Sequence, residues 1–245
     1  MVQKLMRRLT TALGIRLERA GRDIARKSMP RFGNNPKNLT IQLPRRIQNP
    51  ERMVIGDDVS LGPNCVLSAN TRYPGSWMRH PEGRHVDQTF EPELTIGDRV
   101  TASAALQVFT LGEITIGNDV MFASNIFICD SLHGYANGEE PYKYQGMTPP
   151  EPIRIGEGCW IGQNVVILPG VTIGAFSIVG ANSVVTKDIP PQSIAMGAPA
   201  QVTKRWNNEA KGWQRTEIHP DSGPPLPAHS ASERAIAGED DLDGK

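Results

Sequence analysis

Residues 155–190 read IGEGCWIGQNVVILPGVTIGAFSIVGANSVVTKDIP, and every sixth residue of this stretch, counted from its first, is Ile or Val. These positions are Ile155, Ile161, Ile167, Ile173, Val179 and Val185. A period of six matches neither the 3.6-residue period of an α-helix nor the simple alternation of a strand. It indicates short strands joined by tight turns and stacked coil upon coil, which is a solenoid.

The same six-residue grid occurs upstream in three shorter runs. Its members there are Ile55, Leu61 and Leu67, then Ile96, Ala102 and Val108, then Ile116, Phe122 and Ile128. We expect the grid side chains to fill a prism with a parallel sheet on each of its three faces. Gly often follows a grid position, and we interpret it as the residue that lets the chain bend at a corner. Cys65 and Cys159, four residues after a grid position, are predicted to point inward.

This pattern predicts an all-β fold, a parallel β-helix of about 5–6 coils over residues 39–200. The period does not fix the hand of the coils, although parallel connections are generally right-handed. Two interruptions of the grid predict inserted loops near residues 71–93 and 134–152. Long loops on a regular scaffold are often functional. Two loop histidines, His80 and His85, lack a third partner, so we predict solvent-exposed side chains and no metal site.

Composition narrows the functional classes. The 245 residues contain 26 Lys and Arg against 26 Asp and Glu, so no global charge points to a nucleic-acid partner. Three cysteines without close spacing favour free thiols in a reducing compartment. Neither a membrane-spanning stretch nor a signal peptide is recognisable, so we expect a cytoplasmic protein.

The two ends of the chain differ from the repeat. Residues 1–38 are predicted to form a basic amphipathic helix and a linker, with nine basic and two acidic side chains in residues 1–31. This helix either caps the open end of the solenoid or lies on an anionic membrane, such as the inner membrane surface. Residues 201–245 are a C-terminal extension that we expect to be disordered from about residue 223.

The stretch from Ile153 to Trp206, IRIGEGCWIGQNVVILPGVTIGAFSIVGANSVVTKDIPPQSIAMGAPAQVTKRW, resembles the hexapeptide-repeat acyltransferases. The similarity is greatest to the branch of maltose and galactoside O-acetyltransferases and polysaccharide acetyltransferases. It implies a left-handed β-helix, a homotrimer, and acetyl-CoA bound between neighbouring subunits, with no metal required.

The resemblance also places the catalytic base at His133, in the segment SNIFICDSLHGYANG. A His that titrates near neutrality can remove the proton of a sugar hydroxyl as the hydroxyl attacks. Asp130, three residues earlier, either holds the imidazole in the required tautomer or caps the local turn. No Ser or Cys lies in a nucleophile elbow, which favours direct transfer over an acyl-enzyme.

Positions that contact acetyl-CoA are implied by the same resemblance. They are Trp160, Gln163, Ala181, Thr186, Lys187 and Lys204. The backbone amide near Gln163 is the implied oxyanion donor. Gln163 and Lys204 depart from the galactoside branch, which has Ser and Arg there, and Lys lacks the bidentate fork of Arg.

The acceptor is less well defined. Two polar residues that hold the sugar in the galactoside branch correspond to Ser103 and Leu111, and Leu cannot accept a hydrogen bond. We therefore expect loop aromatics, Trp77, Tyr135 and Tyr142, to contribute to a carbohydrate site.

The leading hypothesis is O-acetylation of a carbohydrate, in surface or extracellular polysaccharide synthesis. The alternatives are N-acetylation of an amino sugar or drug, a β-helical zinc carbonic anhydrase, and a non-catalytic assembly module.

Overall fold

The computed structural model describes residues 2–74 and 86–216, except for the side chains of residues 2–10, 12 and 18. The elements in chain order are α1 (Val2–Lys27), β1 (Thr40–Ile41), β2 (Arg45–Gln48), β3 (Met53–Ile55), β4 (Ser60–Leu61), β5 (Cys65–Ala69), β6 (Arg72–Tyr73), β7 (Gln88–Thr89), β8 (Glu93–Ile96), β9 (Thr101–Thr110), β10 (Glu113–Ile116), β11 (Met121–Cys129), β12 (Ile153–Ile155), β13 (Trp160–Ile161), β14 (Val166–Ile167), β15 (Thr172–Ile173), β16 (Ile178–Val179), β17 (Val184–Val185), β18 (Ser193–Gly197), β19 (Ala200–Asn207) and β20 (Gly212–Arg215). Short 3₁₀ turns occupy Pro50–Arg52 and Tyr142–Tyr144.

The strands form a left-handed parallel β-helix, as the family resemblance implies and against the general right-handed preference. Along the first face, parallel pairing joins β1, β4, β9, β11, β13, β16 and β18. The second face contains β2, β5, the C-terminal halves of β9 and β11, β14 and β17. The third face contains β3, β8, β10, β12 and β15. Residues 39–50, before the grid, form part of a first coil.

The predicted interior residues are confirmed. All fifteen grid side chains are at most 7% exposed, the largest value belonging to Ala102. Cys65 and Cys159 are buried beside them. Full burial of a large aliphatic side chain contributes about 1.5–3 kcal/mol, so this column is the main source of stability.

The glycines that follow the grid have a different role from the one predicted. Eight of the fifteen grid positions are followed directly by Gly, and none of these eight glycines has a left-handed φ. The corners therefore do not require glycine for backbone conformation. Instead, a Cβ on Gly156 would lie 2.5 Å from the backbone N of Ala175, and one on Gly162 would lie 2.6 Å from that of Ala181. These glycines therefore permit one coil to stack closely on the next.

Left-handed backbone conformations do occur at the corner between the first and second faces, which we call the ladder corner. Its stacked positions are Asn64, Ala105, Asn125, Asn164 and Asn182, each with a φ between 50° and 64°. Asn125 donates from Nδ2 to Oδ1 of Asn164 at 3.2 Å, and Asn164 donates to Asn182 at 2.9 Å. Asn tolerates this conformation better than other side chains, and only Ala105 interrupts the series.

Both inserted loops leave the corner between the second and third faces, which we call the loop corner. The first connects β5 to β8 and the second connects β11 to β12. A single coil, formed by β9 and β10, lies between them and turns this corner within Thr110–Gly112. The two loops are therefore neighbours, although about forty residues separate them in sequence.

Helix α1 confirms the predicted helical segment but packs on the β-helix only through its last turn. Arg45 donates from Nη2 to the Ala25 carbonyl at 2.8 Å and to Ser28 Oγ at 3.0 Å. Ala25 is the one buried helix side chain among those described, whereas Leu13 and Leu17 are 57% and 64% exposed. A cleft of about 610 Å³ separates the end of the helix from β1. The helix thus covers little of the β-helix end.

The opposite end is closed by antiparallel strands. β18 pairs with β19, and β19 pairs with β20. Trp206 of β19 and Trp213 of β20 meet edge to face, with ring centroids 5.5 Å apart. The first part of the C-terminal extension therefore continues the β-helix sheet, and the segment expected to be disordered from residue 223 lies outside the described residues. No described helix is long and apolar enough to cross a membrane.

Candidate active site

His133 lies on a short ribbon at the loop corner. The ribbon begins where β11 ends, and His133 forms an antiparallel bridge with Met147 on the returning chain. Leu132 donates its backbone N–H to Thr148 Oγ1 at 3.0 Å, and Thr148 donates back to the Leu132 carbonyl at 2.8 Å. Ser131 adds a bond from its Oγ to the Thr148 carbonyl at 2.7 Å. The imidazole is thus exposed but carried by a backbone with little freedom.

Asp130 caps the turn of the preceding coil. Its carboxylate is fully buried and accepts hydrogen bonds from Thr110 Oγ1 at 2.6 Å, Leu111 N at 2.9 Å and Gly112 N at 2.8 Å. All three donors lie at the loop corner between the two loops. Of the two roles left open by the sequence, this geometry matches the turn cap and not a partner of the His133 ring.

The Tyr73 hydroxyl lies within hydrogen-bonding distance of the imidazole, and sequence reasoning missed this contact. Its Oη is 3.2 Å from His133 Nδ1 and donates to the Lys143 carbonyl at 2.9 Å. The two rings meet edge to face, with centroids 5.5 Å apart. Desolvation raises the pKa of the Tyr73 phenol, which keeps it protonated at neutral pH. Sequence spacing gives no signal for a pair of residues brought together by adjacent loops.

The two loops form one unit around His133. Gln88, at the base of the first loop, donates from Nε2 to the Met147 carbonyl at 3.1 Å and accepts from Met147 N at 2.7 Å. The hairpin of β6 and β7 that carries Tyr73 is braced by Arg72, which pairs with Asp87 through two bonds of 2.7 and 2.6 Å. The first loop therefore supports the second, which carries the imidazole.

The predicted acceptor residues do not all gather at this site. Tyr135 and Tyr142 are on the second loop and are 69% and 58% exposed, so their ring faces are open to a ligand. Ser103 is exposed but lies at the ladder corner. Leu111 is buried at the loop corner, with its side chain inside the protein. Trp77, like His80 and His85, lies outside the described residues.

The predicted acetyl-CoA positions divide between different parts of the prism. Gln163 and Ala181 are exposed on successive coils of the ladder corner, where Asn182 N donates to the Gln163 carbonyl at 2.8 Å. Thr186 and Lys187 are exposed at the loop corner, on the same edge as His133. The two remaining positions are on strands, Trp160 half-exposed on the first face and Lys204 on β19 beside Ile194. One chain does not collect these six residues in one cleft.

The cysteines are unsuited to nucleophilic catalysis. All three are free and buried. Burial, with the nearby Asp130 carboxylate, raises the pKa of Cys129 to about 11, and burial also raises the pKa of Cys65 and Cys159. Thiolates are the nucleophilic form, so these groups are inert near neutrality. In residues 2–74 and 86–216, no three His, Cys, Asp or Glu side chains cluster as a metal site.

Known proteins share this scaffold. Residues 152–187 match the family model described as bacterial transferase hexapeptide (six repeats). WbbJ of Escherichia coli K12, named as an O-acetyl transferase of lipopolysaccharide biosynthesis, is 32% identical over 54% of this chain and 71% of its own length. The galactoside O-acetyltransferase of the same strain is 38% identical over 56% of this chain and 64% of its own length.

A solved structure gives the same fold. It is AntD, an N-acyltransferase from Bacillus cereus, in complex with dTDP and 3-hydroxybutyryl-CoA. It is 19% identical, covers 80% of this chain and 90% of its own chain, and has a TM-score of 0.55. Because the sequence repeat, the parallel coils that it forms and these relatives agree, we conclude that the chain belongs to the hexapeptide-repeat acetyltransferases.

Proposed function

We propose that this protein transfers the acetyl group of acetyl-CoA to a hydroxyl of a carbohydrate, with His133 as the general base. The observation that carries the proposal is the exposed imidazole on a pinned ribbon between two inserted loops. The similarity to a protein named for lipopolysaccharide biosynthesis supports a saccharide acceptor in surface or extracellular polysaccharide synthesis.

In the proposed step, Nε2 of His133 takes the proton of the acceptor hydroxyl as its oxygen attacks the thioester carbonyl. The new C–O bond forms, the C–S bond breaks, and the departing thiolate of CoA receives the proton from the imidazolium. The inert thiols support direct transfer without an acyl-enzyme. A backbone amide near Gln163 is the proposed donor to the oxyanion.

The test is acetyl-CoA turnover against a panel of sugars, sugar nucleotides and oligosaccharides, followed by mass spectrometry. With the accepted hydroxyl substrate, His133→Ala is expected to lower kcat by about 10² to 10⁴ while the affinity for acetyl-CoA is kept. His229→Ala, in the C-terminal extension, is the matched control. Retention of most of the turnover by His133→Ala on that hydroxyl substrate would refute His133 as the base. Turnover with amino sugars alone would instead indicate an amine acceptor, because a free amine needs a base less. Absence of saturable acetyl-CoA binding would refute the proposal that acetyl-CoA is the acetyl donor.

A homotrimer is proposed as the catalytic form. The acetyl-CoA positions are split between the ladder corner, with Gln163 and Ala181, and the loop corner, with Thr186 and Lys187. Packing of one chain's ladder corner against the loop corner of its neighbour would unite them in one cleft. Light scattering of the purified protein is expected to give three times the chain mass, and a monomer that retains full turnover would refute this form.

We also propose that α1 attaches the enzyme reversibly to anionic membranes. Leu13, Leu17 and Ile24 are exposed along one side of the helix, and Arg19 and Arg22 lie on the other. A helix with this distribution inserts its apolar side among lipids while its basic side meets anionic headgroups. The test is sedimentation with phosphatidylglycerol vesicles. Wild type and Val54→Asp, which changes an exposed apolar residue of β3, should sediment, and Leu13→Asp with Leu17→Asp should not. Equal sedimentation of all three would refute membrane binding by the helix.

A further inference from the structure

We propose that Tyr73 is a positioning residue that fixes His133 in the tautomer with its hydrogen on Nδ1. The proposal rests on the proposed function for the role of His133 as base, but the tautomer itself is a property of the free enzyme. It assigns to the first inserted loop a part in catalysis that the β-helix alone does not provide.

The assignment follows from the two contacts of the Tyr73 hydroxyl with Lys143 and His133. The Lys143 carbonyl, 2.9 Å from Oη, can only accept a hydrogen bond, so the single phenolic hydrogen is directed to it. Oη then presents lone pairs to His133 Nδ1 at 3.2 Å. Two facing lone pairs would repel each other, so Nδ1 must carry a hydrogen and donate it to Oη. A neutral imidazole has one N–H, which leaves Nε2 unprotonated.

The surrounding contacts keep Tyr73 in this geometry. Its hairpin partner strand contains Gln88, whose amide bonds twice to the backbone of Met147 opposite His133. The edge-to-face contact between the Tyr73 and His133 rings limits rotation of the imidazole. The Tyr73 hydroxyl, on the first loop, is therefore held at two points of the second loop, which are the Lys143 carbonyl and the His133 ring.

The arrangement suits a base that acts and recovers in one turnover. Before reaction, the Nε2 lone pair is available to the acceptor hydroxyl. After proton transfer, Nδ1–H continues to donate to the same neutral Oη, so the imidazolium forms without rearrangement of its partner. The phenol replaces the carboxylate expected from a hydrolytic triad, since Asp130 bonds instead to the preceding coil.

The direct test is the ¹⁵N NMR spectrum of the full-length enzyme, because a protonated ring nitrogen and an unprotonated one have well-separated chemical shifts. The His133 signals are assigned by their loss in His133→Ala. In the neutral imidazole of wild type, the spectrum is expected to show a protonated-type Nδ1 and an unprotonated-type Nε2. Tyr73→Phe should give mixed tautomers, whereas Tyr144→Phe, a matched loss of a hydroxyl on the second loop, should resemble wild type.

Kinetics provide the second readout. Tyr73→Phe removes the hydrogen bond to the Lys143 carbonyl and the one that orients Nδ1 of His133. Because only the second acts on the base, we expect kcat to fall about 3- to 10-fold with little change in the KM for acetyl-CoA. An Nε2–H tautomer in wild type would overturn the proposal, as would an unchanged tautomer and kcat in Tyr73→Phe. The second result would leave His133 as base, and retained turnover by His133→Ala would refute the base without altering the NMR spectrum of wild type. The two proposals therefore fail separately.

Discussion

Asp130→Asn preserves the shape of a fully buried side chain but replaces one of its two acceptor oxygens with a donor group. In the native protein one carboxylate oxygen accepts from Leu111 N, and the other accepts from Thr110 Oγ1 and Gly112 N. The single oxygen of Asn can serve only one of these two sides. Whichever way the amide is turned, its NH₂ group faces a backbone N–H that has lost its acceptor.

The cost can be worked out from these bonds. A buried donor without an acceptor costs about 1–3 kcal/mol, and hydrogen bonds to a neutral acceptor are weaker than those to a carboxylate. We therefore expect Asp130→Asn to lower the free energy of unfolding by about 2–4 kcal/mol. For a chain of this size, each kcal/mol corresponds to about 2–4 °C, so Tm should fall by roughly 5–15 °C.

The assay is thermal unfolding followed by circular dichroism at one protein concentration, because subunit association makes Tm depend on concentration. Asp188→Asn is the matched control. The exposed carboxylate of Asp188 accepts one bond, from Thr172 N at 2.7 Å, and Asn retains an oxygen for it. Its Tm should change by less than about 3 °C. Equal Tm values for the two variants would show that the buried hydrogen bonds of Asp130 do not hold the loop corner.

Three further changes test other parts of the structure. Ala105→Asn places the preferred residue at the one interrupted position of the ladder corner and should raise Tm by about 2–4 °C; a lower Tm would contradict the role given to the asparagines. Cys129→Ala should retain kcat within about twofold, because the pKa of about 11 leaves the thiol protonated near neutrality; a large loss would revive a thiol mechanism. Hydrogen bonding from Arg99 lowers the folded-state pKa of Asp119 below its unfolded value, so this contribution is present at neutral pH and lost in acid as Asp119 protonates. The Tm difference between wild type and Asp119→Asn should accordingly shrink from about pH 6 to about pH 3, and a constant difference would refute the linkage.

The β-helix was predictable because its determinant is local and repeated. The hexapeptide grid identifies which side chain of each strand is inside, and residues such as Ile161 and Val185 are indeed fully buried. The glycines that follow the grid positions are also evident in the sequence, but their structural role could not be predicted from it. Whether Gly162 bends the chain or admits the next coil depends on the distance to Ala181, which is a property of the stack.

The candidate active site was only partly predictable from the sequence. His133 stands out because it ends a coil and begins a loop, and the family resemblance strengthens that reading. Its neighbour Tyr73 does not stand out, because the contact depends on two loops leaving the same corner of the prism. Asp130 illustrates the opposite difficulty, since proximity in sequence suggested a partnership with His133 while the fold directs the carboxylate to Thr110.

The placement of both loops on one corner has a consequence for how such an enzyme can diversify. Insertions at the loop corner leave the stacked grid and the asparagine series undisturbed, because the grid side chains lie inside the prism and the asparagines lie at a different corner. Among homologues we would therefore expect length variation to concentrate between Ala69 and Glu93 and between Cys129 and Ile153. A graft of both segments together, with Gln88 and Met147 kept as a matched pair, should transfer acceptor preference between members, whereas exchange of one segment alone should disrupt it.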